Sequence, residues 1–380
     1  MTTILASIVY LAILVRKRAL ALRYAREHAA PAGDRSAEPV TILQPILGGD
    51  PALEETLAWN VSEHPTAAFV WLVDEDDDLG RSVCARLAAR HARSDLRILV
   101  CAPAPASHNP KLFKLSLAES DIRTERFVVL DDDTMLSRGS LDALRFGLDA
   151  HALATGLPSY VPAATVAGRL VARFVNDNAA LTYLATAAVM PPVTINGMCY
   201  ATTRATLRAI GGFGAYVRWL PDDLAIARGV ASVGGTIVQT PVPHRIRTSV
   251  RDGGRYVRLL HRWFLFALLL LGRVPPRTRA TIVAWHAVPP LVLWVALATA
   301  LASRRPRALV ALAMLLGARA AIRADVARRV LGPGRNEPLL SLVSELAEPL
   351  HAAHAALHRT IRWRSRRIVV RDADDFTVVA

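Results

Sequence analysis

Apolar positions fall into two kinds of run, and the two kinds divide the chain. In the first half they are short, rich in β-branched residues and cut off abruptly: Val40-Thr41-Ile42-Leu43, Ala68 to Val73, Arg97 to Cys101, and Phe127-Val128-Val129-Leu130. Runs this short, apolar on both faces, are the pattern of strands buried on both sides of a parallel sheet. Between them, Leu53 to Val61, Ser82 to Ala92, Leu112 to Ser120 and Leu141 to Ala152 carry apolar residues at helical spacing, with Asp50 placed to cap the first. Strand and helix in alternation predict an α/β fold with a mostly parallel, Rossmann-like sheet and right-handed crossovers. Further on, Gly156 to Tyr160 reads as a turn and Thr165 to Ala188 as a long apolar stretch lying near a membrane or lining an acceptor site. Ile195 to Tyr200 reads as a glycine-interrupted strand, Arg204 to Ile210 as a short helix, and Thr236 to Gln239 as a strand.

The second kind of run is longer. Thr3 to Val15 is followed by Arg16-Lys17-Arg18, the reverse order of a secretory signal, and reads as an uncleaved anchor. Phe264 to Leu271 is too short to span and is placed at an interface. Thr281 to Ala302 is long enough to cross, with Pro289-Pro290 kinking it, and Ala308 to Ile322 can return, carrying Arg319. Ser341 to Leu357, with His351, His354 and then His358, reads as an amphipathic interfacial helix; Arg362 to Arg367 suits an anionic membrane surface. The expected organisation is an anchor at 1–28, a linker at Ala29 to Pro39, a catalytic domain at 40–263, transmembrane and interfacial helices at 264–365, and a tail at 366–380.

The net charge of +14 invites a nucleic-acid partner, yet the excess flanks the apolar runs and no nucleic-acid-binding signature appears. No nucleic acid is therefore expected. Cys84, Cys101 and Cys199 form neither a disulfide framework nor a zinc pattern, which fits a reducing compartment.

The candidate chemistry lies where strands end. Phe127 to Leu130 runs into Asp131-Asp132-Asp133, and carboxyl ends of strands in open α/β sheets line the ligand crevice. With side chains two apart on one side, Asp131 and Asp133 can converge while Asp132 faces away. Two convergent carboxylates suit Mg2+ or Mn2+, with substrate phosphates and water completing the shell. A second strand ends in Asp74-Glu75, nearest the sheet, before Asp76 to Asp78 continue as a solvated loop. Lys111, following Asn109-Pro110 at the start of a helix, is placed to meet a phosphate. Asp222 and Asp223 open another helix; they suit either its dipole or a general base. The basic, glycine-bearing segment His244 to Arg258 suits closing over a diphosphate or meeting lipid headgroups.

Taken together these residues resemble the ceramide glucosyltransferase family, the family 21 branch of membrane glycosyltransferases akin to family 2, with the GT-A fold. The likeness runs from about Val40 to Trp263 through Asp74-Glu75, Asn109-Pro110-Lys111, Asp131-Asp132-Asp133, Gly156-Leu157-Pro158, Gly197-Met198, Asp222-Asp223 and Arg262-Trp263. The chain departs from the pattern at Leu259 and Lys114. The resemblance implies transfer of a sugar, with inversion, from a UDP-sugar to a lipid hydroxyl of ceramide or hopanoid type. It implies nucleoside contact at Asp74 and Glu75, donor contact at Lys111, Asp131, Arg262 and Trp263, metal at Asp131 and Asp133, and Asp223 as base beside Asp222. An integral protein of a bacterial inner membrane, its catalytic domain cytoplasmic, is the corresponding expectation. The competing expectations are a polysaccharide synthase and an inactive scaffold keeping the fold.

Overall fold

The computed structural model describes residues 1–30, 38–91, 95–363 and 366–379. The linker expected at Ala29 to Pro39 falls mostly outside them. The chain forms two compact units that cut across the linear division expected above. One comprises Met1–Glu27, Pro162–Met190 and Val250–Arg359; the other comprises His28–Val161, Pro191–Ser249 and Thr360–Ala380.

The second unit is built on an eight-stranded sheet. Its strands are β1 (Thr41–Ile46), β2 (Ala68–Asp74), β3 (Leu96–Cys101), β4 (Arg126–Leu130), β5 (Thr134–Met135), β6 (Leu153–Tyr160), β7 (Cys199–Thr203) and β8 (Ile237–Ile246). They lie in the order β3-β2-β1-β4-β7-β6-β8-β5. β1, β2, β3 and β4 pair in parallel, β2 and β4 as doubly buried apolar runs and β3 as an edge strand exposing Arg97 and Val100, and β6 pairs β8 in parallel; β7 runs antiparallel to both β4 and β6. The mixed α/β sheet therefore agrees with the fold class expected from the sequence. One face packs Ile42, Leu57, Trp71, Val128 and Leu144; the other packs Leu43, Leu72, Leu115, Val129 and Phe213. Both faces are packed mainly with buried apolar side chains, and the acids of β2 and β4 lie at or just beyond the strand ends.

One expectation changes here. Leu153–Tyr160, read partly as a turn, is a strand: Gly156 and Pro158 sit in it, and the register slips between Thr155 and Leu157. A glycine is required at 156 because a Cβ there would lie 2.3 Å from His244 Nδ1. The C-terminal tail, given no secondary structure from the sequence, is folded. Its strands β9 (Thr360–Trp363), β10 (Arg366–Val370) and β11 (Phe376–Val379) form an antiparallel sheet.

The other unit is helical. Helix Thr2–Glu27 buries Tyr10, Leu14, Lys17 and Ala21 within it. The Tyr10 hydroxyl donates to Glu345 at 2.8 Å, and Glu345 also pairs with Arg319 at 2.6 Å and Arg323 at 2.9 Å. Pro289 has no N–H for the carbonyl of Trp285, and the Lys17 ammonium donates to that oxygen at 3.1 Å. A π-helical turn, Val283–Ala287, precedes the proline pair where a kink was expected. Among the described residues one helix, Pro276–Ser303, is long and apolar enough to cross a membrane. Pro306–Val330, expected to return, carries Arg319, Arg323, Asp325, Arg328 and Arg329 and is not of that kind.

Candidate active site

Lys111 lies at the centre of the acid groups. It opens helix Pro110–Leu117, whose first amides are capped by Asn109: the Asn109 Oδ1 accepts from Lys111 N at 2.9 Å and Leu112 N at 3.2 Å. Such a cap is worth about 1 kcal/mol. The Asn109 amide also donates to the carbonyls of Trp219 and Leu220, at 3.1 and 2.8 Å. One buried side chain thus ties the Lys111 helix to the segment that delivers Asp222 and Asp223.

The Lys111 ammonium meets Asp131 Oδ1 at 2.7 Å, Asp222 Oδ2 at 2.9 Å and the Gly197 carbonyl at 2.6 Å. Acids from two distant parts of the chain therefore converge on one cation. Asp131 itself is fixed by its own N–H on the Met198 carbonyl, 2.9 Å away. Gly197 is the close-approach position: a Cβ there would stand 3.3 Å from Asp222 Oδ2 and 3.4 Å from Asp223 Cβ. Burial first, and then the charge of Asp222, raise the Asp131 carboxyl above its ordinary value against the opposing pull of Lys111. Burial pulls the Lys111 ammonium down, but its two carboxylates raise it by more, so it stays charged. Burial, and then the neighbouring charge of Asp222, push the Asp223 carboxyl up to about 7.

The remaining acids part company. Asp132 turns into the protein, where its Oδ2 accepts from Leu47 N at 2.8 Å. Asp133 accepts a hydrogen bond from the Thr248 hydroxyl, and its carbonyl accepts from Arg247 N at 2.8 Å. The segment after β8 is thereby tethered, with Ser249 Oγ donating to Asp50 at 2.7 Å. Asp50 caps no helix; Ala52 occupies that position. Asp74 is buried and its Oδ2 meets the Lys114 ammonium at 3.1 Å, which also donates to the Ile46 carbonyl at 2.8 Å. Glu75 is exposed beside it, and Asp77 closes a turn by accepting from Gly48 N at 2.6 Å and Gly80 N at 2.9 Å.

Arg262 and Trp263 lie in the helical unit, on helix Gly253–Arg273, where Trp263 stacks on Phe174. Two neighbours of the site were not assigned a role from sequence. Lys114, noted only as a departure from the family pattern, lies between Leu112 and Leu115 on the buried side of its helix, a position from which a lysine signals a buried acid partner. Tyr200 is fully buried, and its phenol is raised, by burial first and then by the nearby Asp222 and Asp131.

The model of glycosyl transferase family 21 matches residues 1–375. The chain belongs to that family. As a member of family 21 it is a glycosyltransferase. Among solved structures it is similar to the mannosyltransferase PcManGT from Pyrobaculum calidifontis, described in complex with GDP-Man and Mn2+. The identity is 17%, the match covers 91% of this chain and 99% of that one, and the TM-score is 0.51. That likeness establishes the GT-A fold. Glucosyl-3-phosphoglycerate synthase from Mycobacterium tuberculosis, described with Mn2+ and UDP-glucose, is 14% identical over 66% of this family 21 chain and 84% of the other, at TM-score 0.38. No curated protein matches in sequence.

Whether the acids suit a divalent ion turns on donor chemistry. Among the described residues no group of three or more His, Cys, Asp or Glu surrounds a single point. Magnesium and manganese sites of the phosphate-bridging kind need only one or two carboxylates, and all the donors offered here are hard oxygens. One ammonium serves two carboxylates at Asp131 and Asp222, with Asp223 adjoining. That deficit of positive charge fits a cation.

Proposed function

We propose that this glycosyltransferase moves a sugar from a UDP-sugar to the hydroxyl of a membrane lipid of ceramide or hopanoid type, with inversion at the anomeric carbon. The observation that carries the reading is Asp223, whose carboxyl is pushed up to about 7 beside an ionic group formed by Lys111, Asp131 and Asp222. A carboxylate with that proton affinity takes a hydroxyl proton near neutral pH far better than an ordinary one. Asp223 accepts the proton as the acceptor oxygen bonds to the anomeric carbon and the bond to UDP breaks. One displacement inverts the centre.

Asp222 adds to burial in raising Asp223, and Lys111 holds Asp222 and Asp131 in register. Asp131 and Asp133 would hold Mg2+ or Mn2+, which when bound neutralises charge on the diphosphate. Asp74 and Glu75 are assigned to the nucleoside, and Arg262 and Trp263 to the donor. The helix Pro276–Ser303, the basic flanks and three free cysteines support an integral membrane protein of a bacterial inner membrane with its catalytic unit in the cytoplasm. No nucleic-acid partner is proposed.

The test is to incubate membranes holding the full chain with labelled UDP-glucose, UDP-galactose and UDP-N-acetylglucosamine and to identify labelled lipid by mass spectrometry. Label is expected in the lipid extract, and Asp223→Asn is expected to remove it while UDP still binds. Label in a long polymer would favour a polysaccharide synthase, and no transfer would favour a scaffold.

A further inference from the structure

Two backbone hydrogen bonds join the C-terminal sheet to the segments of the same compact unit that carry the proposed chemistry. Leu220 N donates to the Ala373 carbonyl at 2.8 Å, two residues before Asp222. Val378 N donates to the Ala106 carbonyl at 3.0 Å, in the loop leading to Asn109 and Lys111. Between these points Asn109 N donates to the Val217 carbonyl at 2.6 Å, and the Asn109 side chain donates to Trp219 and Leu220. Ala373 and Leu220 are both fully buried, so this contact excludes water.

The turn that presents Ala373 is itself closed. Arg371 pairs with Asp375 at 2.7 Å, and the Asp375 carbonyl accepts from Arg371 N and Asp372 N, both at 2.9 Å. β11 is an edge strand pairing with β10 on one side, Val378 opposite Ile368. Its Val378 N–H points away from that ladder to the Ala106 loop.

We propose that the C-terminal sheet, through the Ala373 carbonyl and the Val378 amide, is a positioning element that sets Asp222 and Asp223 against Lys111. The inference rests on the proposed role of Asp223. Of the two loops that must meet, one is bonded at Leu220 and the other at Ala106, and the same short sheet supplies both partners. Their separation is then set by one hydrogen-bonded turn and strand. Catalytic geometry is sensitive to shifts of about 1 Å, which can change rate by about a hundredfold.

The experiment uses the full chain in its membranes and reads UDP release from UDP-glucose, UDP-galactose and UDP-N-acetylglucosamine, alongside titration with UDP and Mn2+. Val378→Pro removes the amide that reaches Ala106 and spares the ladder, since an edge-strand N–H facing outward tolerates proline. It is expected to lower kcat roughly fivefold to tenfold, the effect of one hydrogen bond, with the KM for the sugar nucleotide and the UDP affinity unchanged. Val378→Ala keeps the amide and is expected to retain at least half the turnover. Removing residues 372–380 is expected to lower kcat by about a hundredfold, with UDP affinity again retained.

If Val378→Pro keeps full kcat, or if Val378→Ala loses as much as Val378→Pro, the positioning role is overturned. Loss of UDP affinity in step with kcat in the proline variant would mark a purely structural role and overturn it too. Where the shortened chain fails to fold, the proline and alanine pair decides alone. Absence of UDP release from all three sugars in the full chain would instead defeat the functional reading, and this inference with it.

Discussion

Replacing Asp223 with asparagine should make the protein more stable as it makes it inactive. The folded chain carries the Asp223 carboxyl from an ordinary 3.8 up to about 7. Between those values the folded state holds a proton that the unfolded chain has released, so stability falls as pH rises through the window. Each tenfold change in proton affinity is about 1.4 kcal/mol, which puts the full effect above pH 7 at about 4 kcal/mol. An amide at this position keeps the acceptor for Leu224 N, 2.8 Å away in the parent, and carries no charge to desolvate. Asp223→Asn is therefore expected to exceed the parent by about 2–4 kcal/mol at pH 8, with the gap shrinking to under ~1 kcal/mol near pH 4. Urea unfolding followed by tryptophan fluorescence at several pH values measures it. A variant no more stable than the parent at pH 8, or a gap indifferent to acid, would refute the reasoning.

Other expectations follow from the same contacts. Asp132→Ala strips the acceptor from Leu47 N and should cost about 1–3 kcal/mol of stability, read by the same unfolding assay, while UDP affinity in Mn2+ stays within about threefold. Lys114→Met leaves Asp74 as a buried charge without its cation and should cost about 3–5 kcal/mol, most of it recovered in a double variant with Asp74→Leu. Gly156→Ala drives a methyl to within 2.3 Å of His244 Nδ1; a loss of about 1–3 kcal/mol is expected, relieved when His244 is also made alanine.

How far the sequence could be read depended on whether a feature was local. β2 and β4 carry continuous apolar runs, recognisable because burial on both faces leaves no polar position among them, while β1 admits a buried Gln44 and the edge strand β3 exposes Arg97 and Val100. β6 was obscured by Gly156 and Pro158, which signal turns anywhere except against a neighbour as close as His244. The acidic ends of β2 and β4 were equally plain, but the partners of the acids were not: Lys111 joins Asp131 to Asp222 across some ninety residues of chain, and no periodicity reports that. The same holds for Lys114 and Asp74. In the tail, Arg362 and Arg367 suggested a lipid surface, and their charge masked the alternating Ile368 and Val370 that face inward in β10. Arg262 and Trp263 could be matched to a family signature, while the helix that carries them belongs to a different compact unit from the acids.

The central claim is that these acids serve a metal-bridged nucleotide. Titrating UDP into the full chain with and without Mn2+, in the parent and in Asp131→Asn, tests it most directly. The parent is expected to bind UDP at least about tenfold more tightly with Mn2+, and Asp131→Asn is expected to lose that gain. Equal affinity with and without Mn2+ in the parent, or a metal effect surviving Asp131→Asn, would contradict the account.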